Sequence, residues 1–212
     1  MYNATPARPR RVGLLLAVAA FVIAADVVSK AIVVATMPGR PNIRLLGGAL
    51  TITLTRNGGA AFSIGTSMTI VFTLIAVAVI IYILRAARKL RSLPWAITLG
   101  LLLGGATGNL SDRIFRSPGV FRGDVVDWIE LPHWPVFNLA DSAIVCGGVI
   151  AVLLAVMGLR MDGTREGREP ADALAEDGPG QSTQTAPTAQ TTQTTQGTEG
   201  RDDRGSALSA GP

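Results

Sequence analysis

Asp127 and Asp141 stand fourteen residues apart in a stretch rich in apolar and aromatic residues. Asp127 follows Val125 and Val126 and precedes Trp128 and Ile129. Asp141 lies in Phe137-Asn138-Leu139-Ala140-Asp141-Ser142, at the head of a long apolar run. A carboxylate carried into hydrocarbon costs roughly 2.5–3.5 kcal/mol on insertion scales, so it ordinarily marks a site. Two facing carboxylates can share one proton, activating water and protonating a leaving group, which is the logic of aspartic proteases. Asn138 is an N-cap candidate with Asp141 in the following first turn, where the positive helix end favours a carboxylate. Asp127, among apolar neighbours, is expected to be poorly solvated and more readily protonated.

Other chemistries are poorly supplied. His133, the sole histidine, sits between Pro132 and Trp134 and reads as an interfacial residue. Cys146 is the sole cysteine, which excludes an intrachain disulfide and any multi-cysteine metal site. Deep inside an apolar run, it reads as a buried packing thiol. There is neither a metal-ligand cluster nor a phosphate-binding loop, and no cofactor or metal is expected.

The elements that must position these residues are membrane helices. The chain is 48% apolar and only 16% charged, with few aromatics, so Ala, Val, Leu and Ile supply the excess. The net charge of +4 could suggest nucleic acid, but the basic residues bracket apolar runs instead of gathering on one face. That placement reads as membrane topology, with no nucleic-acid partner. Four stretches, about 12–36, 66–84, 95–114 and 138–161, approach the ~20 residues a bilayer crossing needs. The first resembles a signal peptide at its start, yet apolar character resumes after Lys30, which favours a retained helix.

Arg8, Arg10 and Arg11 precede the first segment. Arg85, Arg88, Lys89 and Arg91 fill the link between the second and third, and Arg160, Arg165 and Arg168 follow the fourth. An even number of spans puts these groups on one side, which the positive-inside rule makes cytoplasmic. Both termini are then cytoplasmic, and the two outward connections, 38–65 and 115–137, carry the informative residues. In the first, residues 43–46 and 49–55 alternate with β-branched content and predict a small extracytoplasmic sheet. The second is rich in Pro, Gly and aromatics and is expected to lie along the membrane surface, with Trp128 and Trp134 as anchors. Trp95 is a further anchor on the cytoplasmic side. Beyond residue 161 the composition turns to Thr, Gln, Gly and charged residues, which predicts a disordered cytoplasmic tail over 162–212. Residues 1–11 form a basic lead-in and 12–161 the membrane domain.

Polar residues inside the apolar segments add to the pair. Asp26 and Lys30, four apart, share a helix face and read as a structural ion pair, with Asp26 within reach of the site. Gly104, Gly105 and Gly108 offer a small-residue surface for close helix approach. Asn109, Asp112 and Arg113 follow on one face, either as inter-helix hydrogen-bonding groups or as support for the carboxylates. Asp112 is expected to find a partner other than the adjacent Arg113. Asn57-Gly58-Gly59 is a turn or a loop that contacts substrate through Asn57.

Taken together these residues resemble the lipoprotein signal peptidases (signal peptidase II) of bacteria. The matches are Asp26-Val-Val-Ser-Lys30, Thr55-Arg-Asn57-Gly-Gly59-Ala-Ala61-Phe62, Gly105-Ala-Thr-Gly108-Asn109-Leu-Ser-Asp112-Arg113, Val126-Asp127 and Phe137-Asn138-Leu-Ala140-Asp141-Ser142. They run in family order across about residues 12–160. The resemblance implies a mainly α, polytopic membrane peptidase with four transmembrane helices, an extracytoplasmic β-rich cradle and a surface loop or helix. It implies an Asp127/Asp141 dyad cutting diacylglyceryl-modified prolipoproteins before the lipidated cysteine. It further implies that Asn57, Asn109, Arg113 and Asn138 hold substrate or orient the dyad, with Asp26 and Asp112 supporting. Membrane lipid and the prolipoprotein are the expected partners of a monomer. Ser29 stands where a threonine is common in the family, and the Thr/Gln-rich tail is not a general family feature. The alternatives are a small proton-coupled transporter or a structural membrane protein. A transporter should carry its polar residues near the bilayer midplane, whereas here they gather toward the outer helix ends.

Overall fold

A computed structural model of the protein describes residues 9–58 and 66–165, with side chains from 69 onward in the second stretch. The expected tail beyond 165, the residues through Arg8 and the part of the glycine loop beyond Gly58 lie outside the described residues.

Four helices are long and apolar enough to cross a membrane. They are α1 (Val12–Thr36), α2 (Thr66–Ala86), α3 (Leu93–Phe115) and α4 (Leu139–Val156). The last is shorter than the sequence suggests. It stops at Val156 and the chain turns at Gly158, whose φ of 64° suits a residue without a Cβ. The helix α3 is central, packing against α1, α2 and α4, while α4 also touches α1. Among the described residues, α2 and α4 make few or no contacts with one another.

Glycines explain why α3 takes the centre. A Cβ at Gly104 would lie 2.6 Å from Val22 Cβ on α1, and one at Gly100 would lie 2.7 Å from Val18 Cβ. Gly108 faces the Asp26 carboxylate on the same helix, whereas Gly105 faces Ala140 and Ile144 of α4. The three glycines therefore serve two surfaces, not the single one expected. One residue advances about 100° around a helix, so neighbours such as Gly104 and Gly105 must look at different partners.

The apolar core gathers at one end of the bundle, from Leu15, Ala19, Ile83, Ala87, Leu90, Ala96, Leu99 and Leu103. At that end Arg11 N donates to Leu90 O at 3.1 Å, and Arg91 N and Ser92 N both donate to Met161 O at 2.9 Å. The start of α1, the α2–α3 link and the segment after α4 thus meet, as alternating spans require. Trp95 is tied into this end, its Nε1 donating to Leu159 O at 2.7 Å.

Outward faces remain apolar, with Phe21 74% and Val152 62% exposed, as helices bathed in lipid require. Cys146 belongs to this set. It is exposed, not the buried thiol expected from its neighbours. On α4 the buried side is Ala140, Ala143, Gly147 and Leu154. Apolar neighbours in a membrane sequence do not distinguish lipid from core, because both solvents are apolar.

The sheet has the antiparallel order β1-β2-β3. The strands β1 (Ile43–Leu45) and β2 (Leu50–Asn57) match the expected pair, joined by a turn in which Leu46, Gly47 and Gly48 all have positive φ. The strand β3 (Val125–Glu130) lies in the connection expected to follow the membrane surface. Val125, Val126 and Asp127 are all buried, so the apolar-polar alternation that announces a strand is missing.

Candidate active site

Asp127 is presented by the β2–β3 ladder. Ile52 pairs with Ile129 and Thr55 with Asp127, so β2 carries one extra residue between them. Such a bulge twists the strand and re-aims nearby side chains. Asn57 lies two residues beyond Thr55 and is therefore the diagonal neighbour of Asp127 on one face. Its Nδ2 donates to Asp127 Oδ2 at 3.0 Å.

The chain then returns to the site through a closed loop. Ile129 N donates to Phe137 O at 2.8 Å and Phe137 N to Ile129 O at 2.9 Å. This bridge delivers Asn138, fully buried, to the side of Asp127. Asn138 also opens α4 with a reciprocal capping box. Asp141 N donates to Asn138 Oδ1 at 3.0 Å and Asn138 N donates to Asp141 Oδ2 at 3.1 Å. The free end of the same amide holds the other carboxylate, Nδ2 donating to Asp127 Oδ1 at 2.6 Å and to Asn109 Oδ1 at 3.1 Å. Asn109 Nδ2 in turn donates to Asp141 Oδ1 at 2.7 Å. Each of the four carboxylate oxygens thus accepts a hydrogen bond from an asparagine.

Burial, with Asp127 only 2% exposed, pushes its carboxyl up to about 6. Donation from Asn57 and Asn138 and the charge of Lys30 oppose the rise, while the neighbouring Asp141 adds to it. A carboxyl in that range exchanges protons near neutrality.

Beneath the asparagines lies a buried ion cluster. Lys30 Nζ is 2.7 Å from Asp26 Oδ2 and 2.9 Å from Asp112 Oδ2, and donates to Asn109 Oδ1 at 3.1 Å. Asp26 Oδ1 accepts from Ala140 N at 3.0 Å, and Asp112 Oδ2 from Val126 N at 3.2 Å. Arg116 pairs with the remaining oxygen of Asp112. The cluster joins α1, α3, β3 and the first turn of α4, immediately beside both aspartates. Buried charges persist only when paired in this way.

A cleft of ≈ 350 Å³ opens against the site. Its polar end is Asn57, Asn109, Arg113 and Asp141; Phe72, Ile75 and Val79 of α2 and Leu102 and Ile144 opposite supply the apolar walls. It lies in the gap that α2 and α4 leave open. Arg113 Nη1 donates to Asn109 O at 3.1 Å and the guanidinium lies 5.9 Å from the centre of the Phe72 ring. Among the described residues, its Nε is buried with no hydrogen-bond partner.

The structure therefore brings Asn57, Asn109, Asn138, Asp127 and Asp141 into one network, sets Arg113 on the cleft and places Asp26 and Asp112 underneath. Asp26 reaches the site through Ala140 N, the residue before Asp141. His133 is exposed and stands apart from this network. Phe72 carries no signal in the sequence that distinguishes it from the other apolar residues of α2. The reach of Lys30 beyond Asp26 to α3 is likewise invisible in the spacing of the sequence.

The profile of the family described as signal peptidase (SPase) II matches residues 18–157, a span that holds every residue of the network. The chain belongs to the signal peptidase II family. It is 59% identical over 155 residues to a lipoprotein signal peptidase of Streptomyces coelicolor, covering 73% of this chain and 76% of that one. Over 165 residues it is 51% identical to a lipoprotein signal peptidase of Rhodococcus jostii, covering 77% and 83%. Its fold is similar to a solved bacterial membrane enzyme determined by the in meso method at 1.9 Å resolution. That match has a TM-score of 0.63 and 28% identity, and covers 72% of this chain and 98% of the other. As a signal peptidase II the protein is a multi-pass bacterial membrane protease, a hydrolase that processes the signal peptides of lipoproteins.

Proposed function

We propose that the protein is an aspartyl endopeptidase in which Asp127 and Asp141 form the catalytic dyad, cutting diacylglyceryl-modified prolipoproteins just before the lipidated cysteine. The observation that carries this reading is the arrangement around Asn138, whose side chain and backbone hold both carboxylates at once. Asp141, at the positive end of α4, acts as the base that takes a proton from the attacking water. Asp127, with its raised pKa, gives its proton to the carbonyl oxygen as the tetrahedral intermediate forms. On collapse the hydroxyl proton returns to Asp127, the proton on Asp141 passes to the leaving nitrogen, and the C–N bond breaks. The pair ends as it began.

The walls of the cleft suit the acyl chains of the lipidated cysteine, and Asn57 and Arg113 suit the polar groups around the cut bond. Residues 12–161 form the peptidase domain of a monomer, with residues 1–11 and 162–212 as appendages. The arginines and lysine between α2 and α3 favour a cytoplasmic position for that link and both termini, with the site toward the extracytoplasmic face. The test is to offer the purified protein a diacylglyceryl-modified precursor and its unmodified counterpart and to map the products by mass spectrometry. Cleavage before the modified cysteine, with the unmodified precursor left intact, is expected. Equal cleavage of both, or a cut elsewhere, overturns the assigned specificity.

A further inference from the structure

Asn109 makes its contact with Asp141 through an amide whose two ends are chemically different but nearly the same shape. Turned by 180°, it would present an oxygen to Asp141 and repel it. Something must fix the orientation, and an ammonium can do so because it has three donors and no acceptor. Lys30 Nζ lies 3.1 Å from one end of the Asn109 amide, which must therefore be the oxygen. The other end is then NH2 and faces Asp141 Oδ1 at 2.7 Å.

We infer that Lys30 is a positioning residue: its ammonium fixes the polarity of the Asn109 amide and so keeps a donor aimed at Asp141. The inference rests on the aspartyl reading above and extends it to a residue that, by sequence spacing, is only half of an ion pair with Asp26. Geometry limits what else Lys30 can do. Its side chain is 1% exposed, and its ammonium lies among Asp26 of α1 and Asp112 and Asn109 of α3. It is enclosed beneath the amides and offers no free proton to substrate. Asn138 Nδ2 donates to the same Asn109 oxygen. That amide is oriented independently, because its own oxygen accepts from the backbone N–H of Asp141. Two obligate donors, one an ammonium on α1 and one a main-chain N–H on α4, thus set both asparagines.

The test is a double-mutant cycle in the full-length protein, K30M, N109L and K30M/N109L, with kcat and KM measured per folded enzyme on the diacylglyceryl-modified precursor. If Lys30 acts through Asn109, K30M lowers kcat about ten- to hundredfold, the usual scale of a misplaced site group, with KM within about twofold. The double variant is then no slower than N109L alone. A merely structural role would instead make the two losses multiply. Should K30M fold poorly with the Asp26 carboxylate left uncompensated, Asp112 keeping Arg116, D26N/K30M against D26N carries the same expectation, because charge and partner leave together. Unchanged kcat in K30M or in D26N/K30M relative to its background, or multiplying losses in the cycle, overturns the inference. D127N is run alongside. Full turnover there overturns the aspartyl reading itself, a result that the Lys30 cycle cannot produce.

Discussion

Asn138 and Asp127 are joined by a 2.6 Å hydrogen bond from Nδ2 to Oδ1, made by the same residue whose oxygen caps α4. One side chain thus serves as both a helix start and a carboxylate clamp, and the two roles can be separated. Asn138→Ser keeps a capping oxygen but removes the amide donor. Its thermal midpoint should stay near that of the unaltered protein while turnover falls at least tenfold. Asn138→Leu, which loses both, should fall in stability by about 0.5–2 kcal/mol as well. Turnover in the serine variant equal to the unaltered protein's would show that the clamp is dispensable.

The raised pKa of Asp127 has a thermodynamic counterpart. Its value in the fold is about 6 against 3.8 for the free side chain. The folded state therefore binds more protons than the unfolded state between those values, and stability must fall as pH rises through that window. The gap corresponds to roughly 3 kcal/mol. Asp127→Asn removes the titration, so the difference in unfolding midpoint between the two proteins should grow in favour of the variant from pH 4 to 7. A constant difference over that range would be inconsistent with a buried, proton-holding Asp127.

The same group should govern activity. The alkaline limb of kcat/KM is expected to carry an apparent pKa near 6, the value to which burial raises Asp127. A rate that is flat from pH 5 to 8 would contradict Asp127 as the proton donor.

Gly104 is expected to be a packing position without chemical duty. A Cβ there would meet Val22 at 2.6 Å and the Ala19 carbonyl at 2.9 Å. Gly104→Val should push α1 from α3 and cost about 1–3 kcal/mol, read as a lowered thermal midpoint. The midpoint staying put would mean that the helices approach less closely than this.

Truncation after Arg168 removes a Thr/Gln-rich segment that lies beyond the family match ending at residue 157. The truncated protein should cleave at nearly the full rate. A large loss at normal expression would assign the tail a part in catalysis.

How far the sequence spoke depended on range. Helices α1 to α4 were legible because some twenty apolar residues in a row have one meaning in a bilayer, and β1 and β2 because they alternate. The helix cap at Asn138 was legible from its place just before the apolar run, with Asp141 three residues on, though the return bond to the Asp141 carboxylate was not. The strand β3 was hidden by burial of Val125, Val126 and Asp127 together, and Cys146 was misjudged because lipid and core look alike. The bonds that assemble the site were out of reach. Lys30 and Asn109 are separated by 79 residues, and Asn57 and Asp127 by 70. Only the packing of α1 on α3 and the register of β2 on β3 bring those side chains together.

Cleavage itself is assigned here to Asp127 and Asp141. The most direct measurement is the turnover of purified, correctly folded Asp127→Asn and Asp141→Asn proteins on a diacylglyceryl-modified precursor. Each variant should insert and fold yet leave the precursor uncut. Full cleavage by either one would contradict that assignment.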